Sequence, residues 1–142
     1  MQVKQILKNK GSAVITAPPH VSIQDTARKL KKHRIGALVI TDDDGGVLGI
    51  VSERDIVNAV ADFGEECRSM PVERIMTRDV RTCRPDDTTD ALMEIMTTRR
   101  MRHLPVIDEG RLAGIISIGD VVKSRIEEIA FEAEQMKMYI GS

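Results

Sequence analysis

The sequence predicts an α+β protein made of two β-α-β-β-α repeats. Three observations predict it. A shift of about 65 residues lays the 142-residue chain over itself. Each copy alternates short apolar runs with amphipathic stretches of helical period. A glycine-bearing acidic turn separates the last two apolar runs of each copy, as in a hairpin.

Three blocks carry the self-match in register. Val14-Ile15-Thr16-Ala17-Pro18-Pro19 lies over Val80-Arg81-Thr82-Cys83-Arg84-Pro85. Arg34-Ile35-Gly36-Ala37-Leu38-Val39 lies over Arg100-Met101-Arg102-His103-Leu104-Pro105. Gly49-Ile50-Val51-Ser52-Glu53-Arg54-Asp55 lies over Gly114-Ile115-Ile116-Ser117-Ile118-Gly119-Asp120. Short leaders match as well, Val3-Lys4-Gln5-Ile6-Leu7 with Val72-Glu73-Arg74-Ile75-Met76.

Each repeat opens on an extended segment, Val14 to Thr16 or Val80 to Cys83. Ser22 is the expected N-cap of the first helix, which runs to about His33 with Ile23, Ala27 and Leu30 on one face. Asp87 or Thr88 takes that place in the second repeat, with Ala91, Leu92, Ile95 and Met96 facing inward. An apolar strand follows, Ala37 to Ile40 or Leu104 to Ile107. The turns are Asp42-Asp43-Asp44-Gly45-Gly46 and Asp108-Glu109-Gly110. The first has an acidic run but lacks the spacing and terminal Glu of a calcium loop, so it reads as a turn. The paired strands are Val47 to Val51 and Leu112 to Ile116. The second helices start after Ser52 and Ser117, with Asp55 and Asp120 near their third positions.

The segment Asp62 to Pro71 links the repeats and holds two helix breakers, Gly64 and Pro71. The linear division is 1–66 for the first repeat with its leader and 67–142 for the second with a C-terminal helix. Each repeat alone is too small to cover both faces of its sheet. Packing sheet to sheet about a pseudo-twofold axis is therefore expected, with two symmetric clefts. The last helix, Val121 to Ile140, carries Val122, Ile126, Ile129, Ala130, Ala133, Met136 and Ile140 at helical spacing. It either covers its own domain or, as we favour, makes a dimer contact.

Composition excludes several functions. The formal net charge is −1 and the chain is 42% hydrophobic, which offers no long-range pull toward nucleic acid or acidic membranes. Phe63, Phe131 and Tyr139 are the only aromatics, too few for the stacking platforms of single-strand binders. The basic run from Arg28 to Arg34 reads as a solvated helix face. No apolar run nears the roughly 20 residues of a membrane span, and the N-terminus lacks a signal-peptide core. A cytoplasmic location is the default. Cys67 and Cys83 form no CxxC pair and no metal spacing is present, so both are expected to be reduced structural thiols. There is no nucleophile–base pair and no Walker-type loop, so no enzymatic activity is expected.

The Gly49–Asp55 and Gly114–Asp120 blocks resemble the G-h-h-[ST]-x-x-D signature of CBS domains. Arg102-His103-Leu104-Pro105-Val106 and the leader Ile75-Met76-Thr77 are similar to other stretches of that family. The resemblance runs from about Val3 to Lys123 and leaves no room for a catalytic domain. It implies a stand-alone bacterial signal-transduction type of CBS pair. It also implies a homodimeric disc, acting on an unknown regulated protein, that binds an adenosine-containing ligand (AMP, ADP, ATP, NAD(H) or S-adenosylmethionine) in the clefts.

The residues suit such a ligand. A carboxylate accepts hydrogen bonds from both hydroxyls of a ribose, the role expected of Asp55 and Asp120. Ser52 and Ser117, at helix starts, meet a phosphate or ribose oxygen. Arg34, Arg54, Arg100, Arg102 and His103 are candidate phosphate cations. Val14, Ile35, Ile50, Val80, Met101 and Ile115 are candidate adenine walls. The resemblance groups Ser117 and Asp120 with Ser12, Ala13, Ile35, Gly36 and Ala37, and it groups Ser52 and Asp55 with Thr77, Val80 and Met101. The competing reading is that the Ser–Asp pairs only cap helices, in a structural dimerisation protein with empty clefts.

Overall fold

The structure, a computed structural model, describes residues 1–11 and 13–141. It divides into two compact units. Unit 1 comprises Met1–Ser12, Thr82–Asp108 and Ala113–Ser142, and unit 2 comprises Ala13–Arg81 with Glu109–Leu112.

Unit 2 is the first repeat. Strand β1 (Thr16–Ala17) leads to helix α2 (Ile23–His33), strands β2 (Ala37–Thr41) and β3 (Val47–Ser52), and helix α3 (Glu53–Phe63). The strand order is β1-β2-β3, with β1 parallel and β3 antiparallel to β2. As expected, Ser22 caps α2, its hydroxyl accepting from the Asp25 amide at 3.1 Å. Ile23 and Leu30 are buried and Ala27 is half-buried. Thr26 is also fully buried; its hydroxyl donates to the Ser22 carbonyl at 2.9 Å, which removes the penalty for an unpaired polar group.

The acidic turn behaves as a turn. Asp42 Oδ1 accepts from the amides of Asp44 (3.0 Å) and Gly46 (2.7 Å), while Gly45 supplies φ 84°. No cluster of metal-ligating side chains occurs among the described residues. The core of unit 2 gathers Leu38, Ile40 and Val51 of the sheet with Leu30, Val72 and Met76. The expected linker is not open chain: a 3-10 helix, Gly64–Ser69, buries Cys67 against Ile23, Ala59 and Met70.

Unit 1 is built around the second repeat. Helix α4 (Thr89–Arg99) follows the Thr88 N-cap, and strands β4 (His103–Asp108) and β5 (Arg111–Ser117) form a two-stranded sheet. Helix α5 runs unbroken from Ile118 to Gly141, so the C-terminal helix begins directly at the Ser117 corner rather than at Val121. Two expectations are corrected. Ala91 is exposed, because the buried face of α4 is centred on Leu92 and Met96. Val80 to Cys83 makes no strand; only Cys83 bridges to Val106 in parallel.

The largest departure concerns the leaders. Helix α1 (Val3–Lys10) packs Val3, Ile6 and Leu7 into the core of unit 1 with Leu92, Leu104 and Ile116. It therefore completes the second repeat, not the first. The Val3 amide donates to the Asp87 carbonyl (2.9 Å), that of Lys4 to Pro85 (2.9 Å), and that of Thr89 to Met1 (2.9 Å). The second leader repeats this on the first repeat: Val72 to Val21 (2.8 Å), Glu73 to Pro19 (3.1 Å) and Ile23 to Met70 (2.9 Å). A linear division at 66/67 thus cuts across both packing units.

The motif glycines show why. A Cβ on Gly49 would lie 2.7 Å from Met76 Sδ and 2.8 Å from the Thr77 carbonyl oxygen, and one on Gly114 would lie 2.5 Å from Leu7 Cδ2. Leu7 and Met76 are equivalent in the two leaders. Each glycine is the floor on which the exchanged leader rests.

Candidate functional site: two serine–aspartate corners

Each unit places its Ser–Asp pair where the last strand turns into the following helix. In unit 2, Ser52 ends β3 and caps α3. Asp55 Oδ2 accepts from the Ser52 amide (2.9 Å) and hydroxyl (3.1 Å), and the Asp55 amide donates to Ser52 Oγ at 3.3 Å. The first helical amide, Glu53, donates to the Gly36 carbonyl at 2.9 Å, which satisfies a helix-start donor that would otherwise lack a partner. In unit 1 the Ser117 amide donates to Asp120 Oδ2 (2.9 Å) and the Asp120 amide to Ser117 Oγ (3.1 Å). The Ile118 amide donates to the Arg102 carbonyl at 2.8 Å.

The capping role is therefore present in both corners. It leaves spare capacity, because every one of these bonds to a carboxylate ends on Oδ2 and none uses Oδ1. A carboxylate has about four acceptor positions, so a cap at one oxygen leaves the other able to receive a hydroxyl.

Sequence reasoning missed Lys10. Its ammonium donates to Asp120 Oδ2 at 2.6 Å and to the Ile115 carbonyl at 2.9 Å. Burial acts to raise the Asp120 pKa, but the bonds from Lys10 and Ser117 outweigh it and hold the carboxyl below its usual range. No sequence pattern joins residues 10 and 120. The available signal was that α1 ends on Lys8 and Lys10, basic residues that suit a helix C-terminus.

Of the other candidates, Gly36 and Ala37 stand beside Ser52 in unit 2, and Ala37 pairs with Ser52 in the β2–β3 register. Ala37 is buried in the core and offers no side-chain surface. Thr77 exchanges both backbone bonds with Ile50, at 2.8 and 3.0 Å, which brings it within two residues of Ser52. Val14, Ile35, Ile50, Val80, Met101 and Ile115 are all half-buried, so each keeps an accessible apolar edge. Ala13 is exposed in unit 2, and Ser12 lies outside the described residues. Met101, Arg102 and His103 adjoin Ser117 and Asp120 in unit 1, where the Arg102 carbonyl makes the contact. The grouping that the resemblance implies, Met101 with Ser52 and Asp55 and Ala13, Ile35, Gly36 and Ala37 with Asp120, draws each set from both units. Arg34 and Arg100 hold equivalent left-handed positions (φ 54° in both) as helix C-caps. Their side chains and those of Arg54 and Arg102 are exposed, while His103 is half-buried.

Comparison with known proteins decides the family. The CBS domain profile matches residues 3–62 and 72–127. The chain belongs to the CBS-domain family. This CBS pair is similar to the crystal structure of the CBS-domain containing protein ATU1752 from Agrobacterium tumefaciens, with 54% identity and a TM-score of 0.85 over 88% of this chain and 99% of that one. It is also similar to the CBS domain pair of protein MJ0100 in complex with 5′-methylthioadenosine and S-adenosyl-L-methionine, at 32% identity and a TM-score of 0.80, covering 90% of this chain and 98% of that one. The mitochondrial CBS domain-containing protein CBSX3 of Arabidopsis thaliana is 29% identical over 97% of this chain and 71% of its own length. The α+β architecture of two β-α-β-β-α repeats is that of the solved CBS pairs.

Proposed function

We propose that this CBS pair is a non-catalytic sensor whose two Ser–Asp corners bind adenosine-containing ligands, AMP, ATP or NAD(H), and pass the occupancy to a regulated protein. The observation that carries the reading is the pair of equivalent carboxylates, Asp55 and Asp120, each held by its own serine at a strand–helix corner with Oδ1 uncommitted among the described residues. A ribose diol needs such an acceptor. The half-buried aliphatic residues nearby supply the apolar contact that an adenine ring requires. A relative's complex with two adenosyl compounds supports the ligand class. Binding shifts the population of conformations in proportion to the difference in affinity between them.

The same proposal includes a homodimer. Val57 on α3 and Val122 on α5, equivalent in the repeat, are 65% and 41% exposed. Val60 on α3 and Ile126 and Ile129 on α5 extend those apolar surfaces, and surfaces of this kind mark contact sites. Of the described helices none is long and apolar enough to cross a membrane, so burial in lipid as a span is not their use.

The test is titration calorimetry with AMP, ATP and NADH, together with mass spectrometry of nucleotides released on denaturation. Asp55→Ala and Asp120→Ala are each expected to remove one bound equivalent while the chain stays folded. Unchanged stoichiometry in both variants refutes the ribose assignment. Sedimentation equilibrium of the same samples is expected to give two chains per particle.

A further inference from the structure

Lys10 sits against Asp120, one of the two carboxylates that the sensor reading assigns to a sugar. Its ammonium has three donors. Two are committed, to Asp120 Oδ2 and to the Ile115 carbonyl, which leaves one. The pair is partly exposed, 36% for Lys10 and 23% for Asp120, and it borders a surface hollow that Lys123, Ser124 and Glu127 also line. Lys123 forms no ion pair among the described residues. A diol arriving at Asp120 can use Oδ1 freely, but a grip through both oxygens has to compete with Lys10 for Oδ2. A neutral nucleoside gives the ammonium nothing in exchange. A ligand with a phosphate does, because the flexible four-carbon stem lets the ammonium move from carboxylate to phosphate.

Resting on the sensor reading, we propose that Lys10 is the specificity-determining residue of the Asp120 corner, favouring phosphate-bearing adenosine ligands over uncharged ones. The corner of unit 2 lacks this device. Among the described residues Asp55 receives only its own serine, and the strand-edge position equivalent to Ile115, Ile50, is bonded by the Thr77 backbone instead of by a cation. The two corners therefore differ in ligand preference, a phosphate weighing more at Asp120 through Lys10.

The experiment compares adenosine with AMP by calorimetry, in an Asp55→Ala background so that the Asp120 corner is read alone. Lys10→Met is expected to tighten adenosine and weaken AMP. The ratio of their dissociation constants should fall about tenfold, the worth of one charge-assisted hydrogen bond. Lys10→Arg should keep most of the preference. An unchanged ratio in Lys10→Met, with Asp120→Asn weakening both ligands, overturns the role of Lys10 and leaves the sensor reading standing. Asp120→Asn without effect on either ligand overturns both.

Discussion

The same strand-edge position is completed in two ways. In unit 2, Ile50 exchanges two backbone bonds with Thr77, and in unit 1 the equivalent Ile115 receives the Lys10 ammonium. The cause is how long each leader stays helical. Helix α1 continues past Leu7 to Lys10, which carries a cation to the Ser117–Asp120 corner. The second leader leaves its 3-10 turn (Val72–Arg74) and becomes extended, so Thr77 reaches the strand edge with its backbone. Two repeats with matched motifs thus hold chemically different corners. The difference lies outside the motifs.

The first way to break this comparison reads each unit by its thiol. Burial, with the Asp87 charge adding to it, pushes the Cys83 thiol in unit 1 up to about 12. Its alkylation by iodoacetamide near neutral pH should be far slower than that of a free thiol and proceed only through opening. Cys67 is equally buried, in unit 2. Denaturant-dependent alkylation followed by peptide mass spectrometry then gives an opening midpoint for each unit. Distinct midpoints would show that the units open separately, and coincident ones that the exchanged leaders couple them.

A second effect separates the leader seats. Gly49→Ala is expected to cost about 3 kcal/mol and Gly114→Ala about 1 kcal/mol, measured by urea unfolding. The Gly49 methyl would meet a backbone oxygen that cannot swing away, whereas the Gly114 methyl would meet the end of the Leu7 side chain. Equal losses would mean that the two leaders are seated alike after all.

The smallest effect concerns acid. Asp120 has a folded-state pKa below its unfolded value. The stability it contributes is therefore complete above the unfolded value and is lost as pH falls through the lower folded one. For a partly exposed pair that contribution is about 0.5 kcal/mol. Lys10→Met should flatten the acid limb of stability by about that amount. An acid limb identical to wild type would mean that the ion pair adds nothing in water.

Much of the fold was legible because its signals are local. Ser22, Ser52, Thr88 and Ser117 announce helix starts by their own side chains, and Gly45 and Gly110 announce turns. The periodicity of Val3, Ile6 and Leu7 shows that a face is buried but cannot say against what. The exchange of leaders was hidden for that reason, and so was a contact between residues 10 and 120. Ala91 misled because a small apolar residue on a helix fits either face. Val80 to Cys83 copied the pattern of the first repeat, yet only Cys83 engages the sheet. The site residues read from the motif stand at the corners, whereas the cation that distinguishes the corners came from an element the motif does not include.

The exchange also dictates an order of assembly as the chain is synthesised. The first repeat has its full core once Met76 and Thr77 have emerged. Helix α1, made ahead of both repeats, must wait with Val3, Ile6 and Leu7 uncovered until Ile116 and Val121 are available. Its docking closes a loop of more than a hundred residues (about 4 kcal/mol of chain entropy by loop-closure scaling), so a segment translated ahead of both repeats is the last of these elements to find its place.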